Sequence, residues 1–199
     1  KTPVDMPAFL KGDISVAFKR ANMAESISGF LYPPDDTTEG KELRLKQQYF
    51  FSSASVQSII NDFKKTAKQV TELSDFIKIQ LNDTHPTVAI PEMLRILITD
   101  FGLNFETAFN ILGKIFSYTN HTVMAEALEC WDESLFCRVL PRVYPYVVML
   151  NNHLHRTINN PALASNLSII NDGKINMANM AVFVSHKVNG VAKIHSDII

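Results

Sequence analysis

The stretch from Ile79 to Pro91 constrains the fold of this chain most, because it passes from an apolar run to a polar segment and then to the start of a helix. The run from Phe76 to Leu81 alternates and is rich in Ile and Phe, which predicts a strand. Four side chains able to form hydrogen bonds follow it directly, and we name them the first hinge: Asn82, Asp83, Thr84 and His85. Ligands of open α/β sheets bind outside the carboxyl ends of the strands, so the first hinge predicts a binding site.

A second apolar run ends in the same way. Ile115 to Tyr118 is followed by Thr119-Asn120-His121-Thr122, the second hinge, and then by a segment predicted to be helical, Met124 to Trp131. Two strands with helices between them predict a parallel βαβ arrangement. Such an arrangement places both hinges at the same edge of the sheet.

The remaining periodicities predict mostly helices. These are Asp13–Ser28, with Asp13 as its N-cap, then Glu39–Thr66, Pro91–Thr99, Asn104–Leu112 and Leu135–Ile158, the last broken or kinked early by Pro141 and Pro145. Turns are predicted at Asn159–Pro161 and Asn171–Gly173. A third hinge, Ser185–Ala192, is expected to start a terminal helix at Asn189 and Gly190, with free N–H groups there. The fold class predicted is therefore helix-rich α/β.

Charge and cysteine content exclude several classes of protein. The chain has 19 Lys and Arg against 20 Asp and Glu, so no nucleic-acid or membrane-surface partner is expected. It contains no apolar run long enough to span a bilayer, and no pattern at its N-terminus leads us to expect a signal peptide. Cys130 and Cys137 fall in a predicted helix, roughly 10 Å apart, which is too far for a disulfide. We therefore expect reduced thiols and a cytoplasmic protein.

The hinges hold neutral or weakly charged groups that donate and accept hydrogen bonds. The chain has no catalytic triad, zinc signature or dinucleotide motif, and its seven glycines argue against a phosphate-binding loop. His153 and His155 point to different sides of a helix, so no metal site is expected. Asn, Asp, Thr and His suit a sugar, whose hydroxyls need paired donors and acceptors. The same residues also cap helices and tie turns, and the residues alone leave both interpretations open.

Six motifs, in order along nearly the whole chain, resemble the glycogen, starch or α-glucan phosphorylase family. They are Glu39–Phe50, Gln80–Pro86, Tyr118–Val123, Glu126–Glu129, Ile175–Ala178 and Ser185-His186 with Val188–Ala192. The resemblance is to the later part of the family's N-terminal domain. It implies that residues 1–199 are a single fragment with a partial Rossmann-like fold, from an incomplete glycosyltransferase GT-B type domain. The C-terminal domain that holds pyridoxal phosphate would then be absent.

The family cleaves α-1,4-glucan ends with inorganic phosphate, giving glucose 1-phosphate with retention, while pyridoxal phosphate supplies a phosphate group that relays a proton. By motif, the resemblance implies two catalytic residues, His121 and Asp83. His121 would meet the glucosyl 6-hydroxyl and place its backbone carbonyl near the anomeric carbon, where positive charge develops. It also implies substrate-binding roles for Asn82, His85, Thr122, Val191 and Glu129, and for Asp35 and Asp36 in a gate loop.

Other positions imply assembly and regulation. The Asp13–Ser28 segment matches a helix that reaches the partner subunit in a homodimer. Asp36, Thr37 and Thr38 follow Asp35 where animal enzymes have Asn and two aromatics, so a stacking site for aromatic inhibitors is not expected. Asn61 and Asp62 replace paired arginines, which predicts loss of AMP binding and an unregulated, microbial enzyme.

No lysine lies in a pattern like the family's pyridoxal-bearing motif, so the isolated chain is expected to be inactive and to bind no cofactor. The alternative is a stand-alone glucan-binding or dimerising helical module without catalysis.

Overall fold

The computed structural model describes residues 4–31, 33–66, 68–122 and 128–197. The chain divides into two compact units, Lys1–Phe50 and Phe51–Ile199. Among the described residues, no helix is long and apolar enough to cross a bilayer.

The helices and strands of the described residues follow in chain order. The helices are α1 (Met6–Leu10), α2 (Ile14–Gly29), α3 (Thr38–Lys64), α4 (Leu73–Phe76), α5 (Ala89–Thr99), α6 (Phe105–Ile115), α7 (Glu133–Val139), α8 (Tyr144–Thr157), α9 (Pro161–Asn166), α10 (Met177–Val184) and α11 (Lys193–Asp197). The strands are β1 (Ile79–Asn82), β2 (Phe116–Asn120), β3 (Cys130–Asp132), β4 (Ile170–Asn171), β5 (Lys174–Asn176) and β6 (Lys187–Gly190). The protein is thus helix-rich α/β, as predicted.

The first unit consists of α1, α2 and the beginning of α3. Asp13 caps α2 by accepting a hydrogen bond from the backbone N–H of Val16 at 3.3 Å, as predicted. The two short helices are joined where the N–H of Asp5 donates to the carbonyl of Ala17 at 3.0 Å. Ala17 is the buried residue of α2, and apolar side chains such as Ile14 and Met23 remain exposed.

The second unit contains a three-stranded parallel sheet in the order β1-β2-β6. Ile79 pairs with Phe116 and Asn82 with Thr119, which confirms the parallel βαβ arrangement. One face of the sheet is apolar: Leu81, Phe116 and Tyr118 are buried there, and α10 packs against β2. Both hinges lie at the carboxyl edge of this sheet, where they include the last residue of β1 and the last two residues of β2.

The other face of the sheet is polar. Nε2 of Gln80 donates to Oγ1 of Thr119 at 2.7 Å, and this hydroxyl donates to Oδ1 of Asn189 at 3.0 Å. The three side chains form a row of hydrogen bonds across β1, β2 and β6. This row adds side-chain contacts to the backbone ladder of the sheet.

A second sheet, antiparallel in the order β3-β5-β4, corrects one prediction. Cys130 and Trp131 lie in β3, not in a helix, because Trp131 is buried and pairs with Ile175 of β5. Residues 123–127 of the predicted helix are outside the described residues. Cys137 lies in α7, and both cysteines are free and exposed. The Asn171–Gly173 turn is confirmed, since it joins β4 to β5 with positive φ at Asp172 and Gly173.

Several predicted boundaries also change. The first strand begins at Ile79 because Phe76 ends α4, and the second strand continues to Asn120. The predicted helix Leu135–Ile158 is two helices, α7 and α8, separated by a segment that contains Pro141. This position of the break fits a residue without a backbone N–H.

The third hinge differs more from the prediction. Asn189 and Gly190 end the strand β6 rather than start a helix, and α11 begins later, at Lys193. Pairing with Thr119 and Asn120 of β2 forms this strand. The prediction that a helix starts at Asn189 and Gly190 is therefore wrong.

Candidate binding site at the carboxyl edge of the parallel sheet

Asp83 directly follows β1 and lies in a bend of the chain. Its φ is 65°, a left-handed conformation that Asp adopts more readily than most residues. Its N–H donates to the carbonyl of Thr119 at 2.9 Å, and its Oδ1 accepts from the N–H of Thr84 at 3.0 Å. The carboxylate is therefore held at the edge of the sheet by its own backbone turn.

The first and second hinges meet through this carboxylate. Oδ2 of Asp83 accepts a hydrogen bond from Oγ1 of Thr122 at 2.9 Å. The predicted meeting of the hinges at one edge of the sheet is therefore present. His121, between Asn120 and Thr122, has an exposed side chain.

The rest of the first hinge surrounds Asp83. Asn82 is exposed at the end of β1, and His85 is exposed on the turn that leads into α5. Thr84 is buried, and its carbonyl accepts from the N–H of Thr87 at 3.0 Å. Asn82 and His85 are thus presented to solvent beside the Asp83 turn.

Asn120 binds the second hinge to the chain after β6, and it was not among the site residues predicted from the sequence. Its amide donates to the carbonyls of Thr122 at 3.0 Å and His195 at 3.1 Å, and its Oδ1 accepts from the N–H of Thr122 at 3.1 Å. Its carbonyl accepts from the N–H of Val191 at 3.1 Å. One signal was present in the sequence: Asn120 continues the inward-facing positions of Phe116 and Tyr118.

Val191 follows β6 and is 57% exposed. The preceding Gly190 lies under a folded-back segment, since a Cβ there would be 2.6 Å from the Cβ of His195. The N–H of Gly190 donates to Oγ of Ser196 at 3.0 Å. Val191 is therefore held near the second hinge with its side chain open to solvent.

The other predicted site residues do not lie on the two hinges. Glu129 precedes β3, and its carbonyl accepts from the N–H of Met177 at 3.1 Å. Burial raises the pKa of the neighbouring Cys130 thiol. The charge of Lys174 lowers this pKa and the charge of Glu129 raises it, and the net shift is upward. Asp35 and Asp36 belong to the first unit, where Asp35 forms an ion pair with Arg44 at 2.7 Å.

Tyr118 adds a buried hydroxyl near Asp83. Within the described residues this hydroxyl has no hydrogen-bond partner, and the residue is fully buried. Burial, and secondly the charge of Asp83, raise the pKa of Tyr118 to about 12. The phenol therefore remains neutral throughout the physiological range of pH.

The edge offers a carboxylate, hydroxyls and imidazoles, groups that match the hydroxyls of a polyol. The described residues contain no group of three or more His, Cys, Asp or Glu side chains placed to hold a metal ion.

Fold and site together define a helix-rich α/β protein with a polar site at the carboxyl edge of a small parallel sheet. The family model described as carbohydrate phosphorylase matches residues 1–199, and the chain belongs to this family.

Several glycogen phosphorylases are similar to this chain over nearly its whole length. Glycogen phosphorylase 2 of Dictyostelium discoideum is 45% identical and aligns with 98% of this chain and 20% of its own length. The glycogen phosphorylase of Saccharomyces cerevisiae is 44% identical over 100% of this chain and 23% of its own length. The glycogen phosphorylase of Bacillus subtilis is 42% identical over 96% of this chain and 24% of its own length. The chain thus spans a quarter or less of the length of these relatives.

Proposed function

We propose that these residues form part of an α-glucan phosphorylase, which cleaves α-1,4-glucan ends with inorganic phosphate and releases glucose 1-phosphate with retention. The observation that carries the proposal is the hydrogen bond from Thr122 to Asp83, because it joins both hinges around His121. The family match over all 199 residues supports it and does not favour a stand-alone binding or dimerising module.

His121 and Asp83 have the central roles in this proposal. The exposed imidazole of His121 would bind the glucosyl 6-hydroxyl, and its backbone carbonyl would face the anomeric carbon, where positive charge develops. The Asp83 carboxylate orients the second hinge through Thr122. Further sugar contacts are proposed for Asn82, His85, Val191 and Glu129, and Asp35 and Asp36 would form a gate loop.

Pyridoxal phosphate is proposed for the full-length enzyme, where its phosphate group would relay a proton. An imine-forming lysine needs a desolvated amine, and every lysine in the described ranges is at least partly exposed. The residues described here therefore do not fit as its attachment site, and we place that site outside these 199 residues. We accordingly propose that the isolated chain is inactive, which incubation with pyridoxal phosphate, phosphate and maltodextrin would test.

Further proposals concern fold and assembly. We infer that the small parallel sheet is a portion of a Rossmann-like domain of the GT-B type, with residues 1–199 from its N-terminal domain. The exposed apolar residues of α2, including Ile14 and Met23, support a homodimer formed through this helix. The free, exposed thiols of Cys130 and Cys137 are compatible with a reducing, cytoplasmic compartment.

The surface of α3 supports loss of nucleotide regulation. Asp62 is exposed, and its Oδ1 is ion-paired with Nζ of Lys65 at 2.6 Å. An acidic side chain beside the exposed Asn61 would repel a nucleotide phosphate, whereas paired arginines would bind it. AMP is therefore expected to have no effect on activity.

Expression of the complete reading frame that contains residues 1–199 tests the proposal. The expected result is phosphate-dependent release of glucose 1-phosphate from maltodextrin, reduced at least about 100-fold by His121→Ala. The matched control is His155→Ala, because His155 is also exposed and its Nε2 contacts Oγ of Ser168 at 2.9 Å. Absence of phosphorolysis in the wild-type protein, or equal loss in both variants, would overturn the proposal.

A further inference from the structure

Asn120 satisfies the polar groups of its amide through two separate segments of the chain. Its Oδ1 and Nδ2 bind the N–H and the C=O of Thr122, at 3.1 and 3.0 Å, so the side chain closes a short loop around His121. Nδ2 also donates to the carbonyl of His195 at 3.1 Å. The side chain of Asn120 therefore takes part in three hydrogen bonds, accepting one and donating two.

Burial makes these hydrogen bonds strict requirements. Asn120 is 0% exposed, so an unpaired amide there would lose its hydration without compensation. The side chain of an Asn in this position can accept from one N–H and donate to two carbonyls at once. A carboxylate, hydroxyl or aliphatic side chain does not reproduce that set.

The segment around His195, whose carbonyl accepts from the amide of Asn120, is itself held by further hydrogen bonds. His195 lies in the segment that folds back over Gly190, where Oγ of Ser196 accepts from the N–H of Gly190 at 3.0 Å. The N–H of Val191 in turn donates to the backbone carbonyl of Asn120 at 3.1 Å. The segment after β6 is therefore bonded to both the main chain and the side chain of Asn120.

The hydrogen bonds of Asn120 enclose His121, the residue that the proposed function requires to be accurately placed. Among the described residues, no hydrogen bond occupies the carbonyl of His121, while its neighbours on both sides are bonded. A displacement of about 1 Å in a reacting group reduces rates by about 100-fold. The bonds of Asn120 are placed to prevent such a displacement.

We propose that Asn120 is a positioning residue that holds the backbone of His121 in register with the segment after β6, and this inference rests on the function proposed above. Asn120 acts on the backbone of Thr122 and does not contact the sugar. Its loss should reduce transition-state stabilisation while substrate binding changes little.

The test is Asn120→Asp in the protein expressed from the complete reading frame, with phosphorolysis of maltodextrin as the assay. The Asp side chain retains the acceptor for the N–H of Thr122 but presents a carboxylate oxygen to two carbonyls. We expect kcat to fall about 30-fold at neutral pH with KM within about twofold, because the lost interaction acts mainly in the transition state. A protonated Asp donates one hydrogen bond, so the kcat of the variant relative to wild type should rise from about pH 8 to about pH 6.

Asn179→Asp is the matched control. The half-buried amide of Asn179 donates to the carbonyl of Ser168 at 3.0 Å, so the substitution removes an amide donation outside the proposed site. Its kcat should remain near that of wild type, without the rise at low pH. Equal kcat values for the two variants, or a change in KM alone, would overturn the inference.

A milder variant covers the case in which Asn120→Asp does not fold. Ser196→Ala removes only the exposed acceptor of the Gly190 N–H, and it should lower kcat about threefold with KM unchanged. An unchanged kcat in a folded Ser196→Ala protein would then refute the positioning role. An inactive wild-type protein would instead refute the proposed function itself.

Discussion

The hydroxyl of Thr122 donates a hydrogen bond to Oδ2 of Asp83 at 2.9 Å, and it thereby joins the chain after β2 to the turn after β1. The same carboxylate accepts from the N–H of Thr84 at 3.0 Å through its other oxygen. Each oxygen of Asp83 thus binds a different segment. Asp83 thus contributes to the shape of the candidate site by joining its two hinges.

A double-mutant cycle on Asp83 and Thr122 should give a coupling energy of about 1–2 kcal/mol, as expected for a hydrogen bond to a charged group. Asp83→Asn retains the left-handed turn and removes the charge, whereas Thr122→Val removes the hydroxyl at nearly constant shape. Urea unfolding of the four proteins measures the coupling. Additive effects, with no coupling, would show that the hydrogen bond does not contribute to stability.

Tyr118→Phe should raise the free energy of unfolding by about 1 kcal/mol at neutral pH, because it removes a buried hydroxyl without a partner among the described residues. The pKa of Tyr118 is raised to about 12 from 10.0, so above pH 10.0 the unfolded chain loses this proton first. Between pH 10.0 and about pH 12, the free energy of unfolding of the wild type should therefore decrease with pH. The decrease should exceed that of the variant by about 1.4 kcal/mol per pH unit. Denaturation at several alkaline pH values measures the difference, and parallel curves would contradict the prediction.

Arg95→Leu should destabilise the protein by about 3 kcal/mol. Glu92 is 0% exposed and receives two hydrogen bonds from Arg95, at 2.9 and 3.0 Å, and one from Ser53 at 2.9 Å. Removal of Arg95 takes away a positive charge that is paired with the buried carboxylate of Glu92. Chemical denaturation measures the loss.

The double variant Glu92→Met with Arg95→Leu should recover most of that stability, because it removes the buried charge together with its partner. Arg95→Lys is the control that keeps the charge but loses the paired geometry, and it should fall between the two. A double variant as unstable as Arg95→Leu would exclude this explanation.

Gly190→Ala should destabilise the protein by at least about 2 kcal/mol, because the new methyl group would lie 2.6 Å from the backbone carbon and Cβ of His195. Gly113→Ala in α6 is the matched opposite: its Cβ would be 3.7 Å from the carbonyl of Val184, an ordinary contact. Alanine there should stabilise the helix by about 0.5–1 kcal/mol. Thermal unfolding of both variants should give shifts of opposite sign.

Local interactions account for the predictions that succeeded. Asp13 and Asn104 are the first residues of two predicted helices, and each caps its helix by accepting from an N–H three residues later. The Asn171–Gly173 turn has the residues that positive φ angles favour. Each of these features depends on neighbouring residues, so a short window of sequence contains the information.

Distant contacts account for the predictions that failed. Trp131 lies in a strand because it pairs with Ile175, and Asn189 ends a strand because it pairs with Thr119. The helical pattern around both positions was plausible locally. Pairing across the sheet decided the outcome, since a strand needs a partner that its own sequence does not specify.

The apolar runs, the polar hinges that end them and the parallel order of β1 and β2 could be predicted from the sequence, because periodicity and connection length limit these features. Which hinge residues form hydrogen bonds with one another could be seen only in the folded protein. The amide of Asn120 reaches a carbonyl 75 positions away, and Thr122 reaches an acid 39 positions away. Such partners are selected by the packing of the whole unit, which brings distant segments within hydrogen-bonding distance.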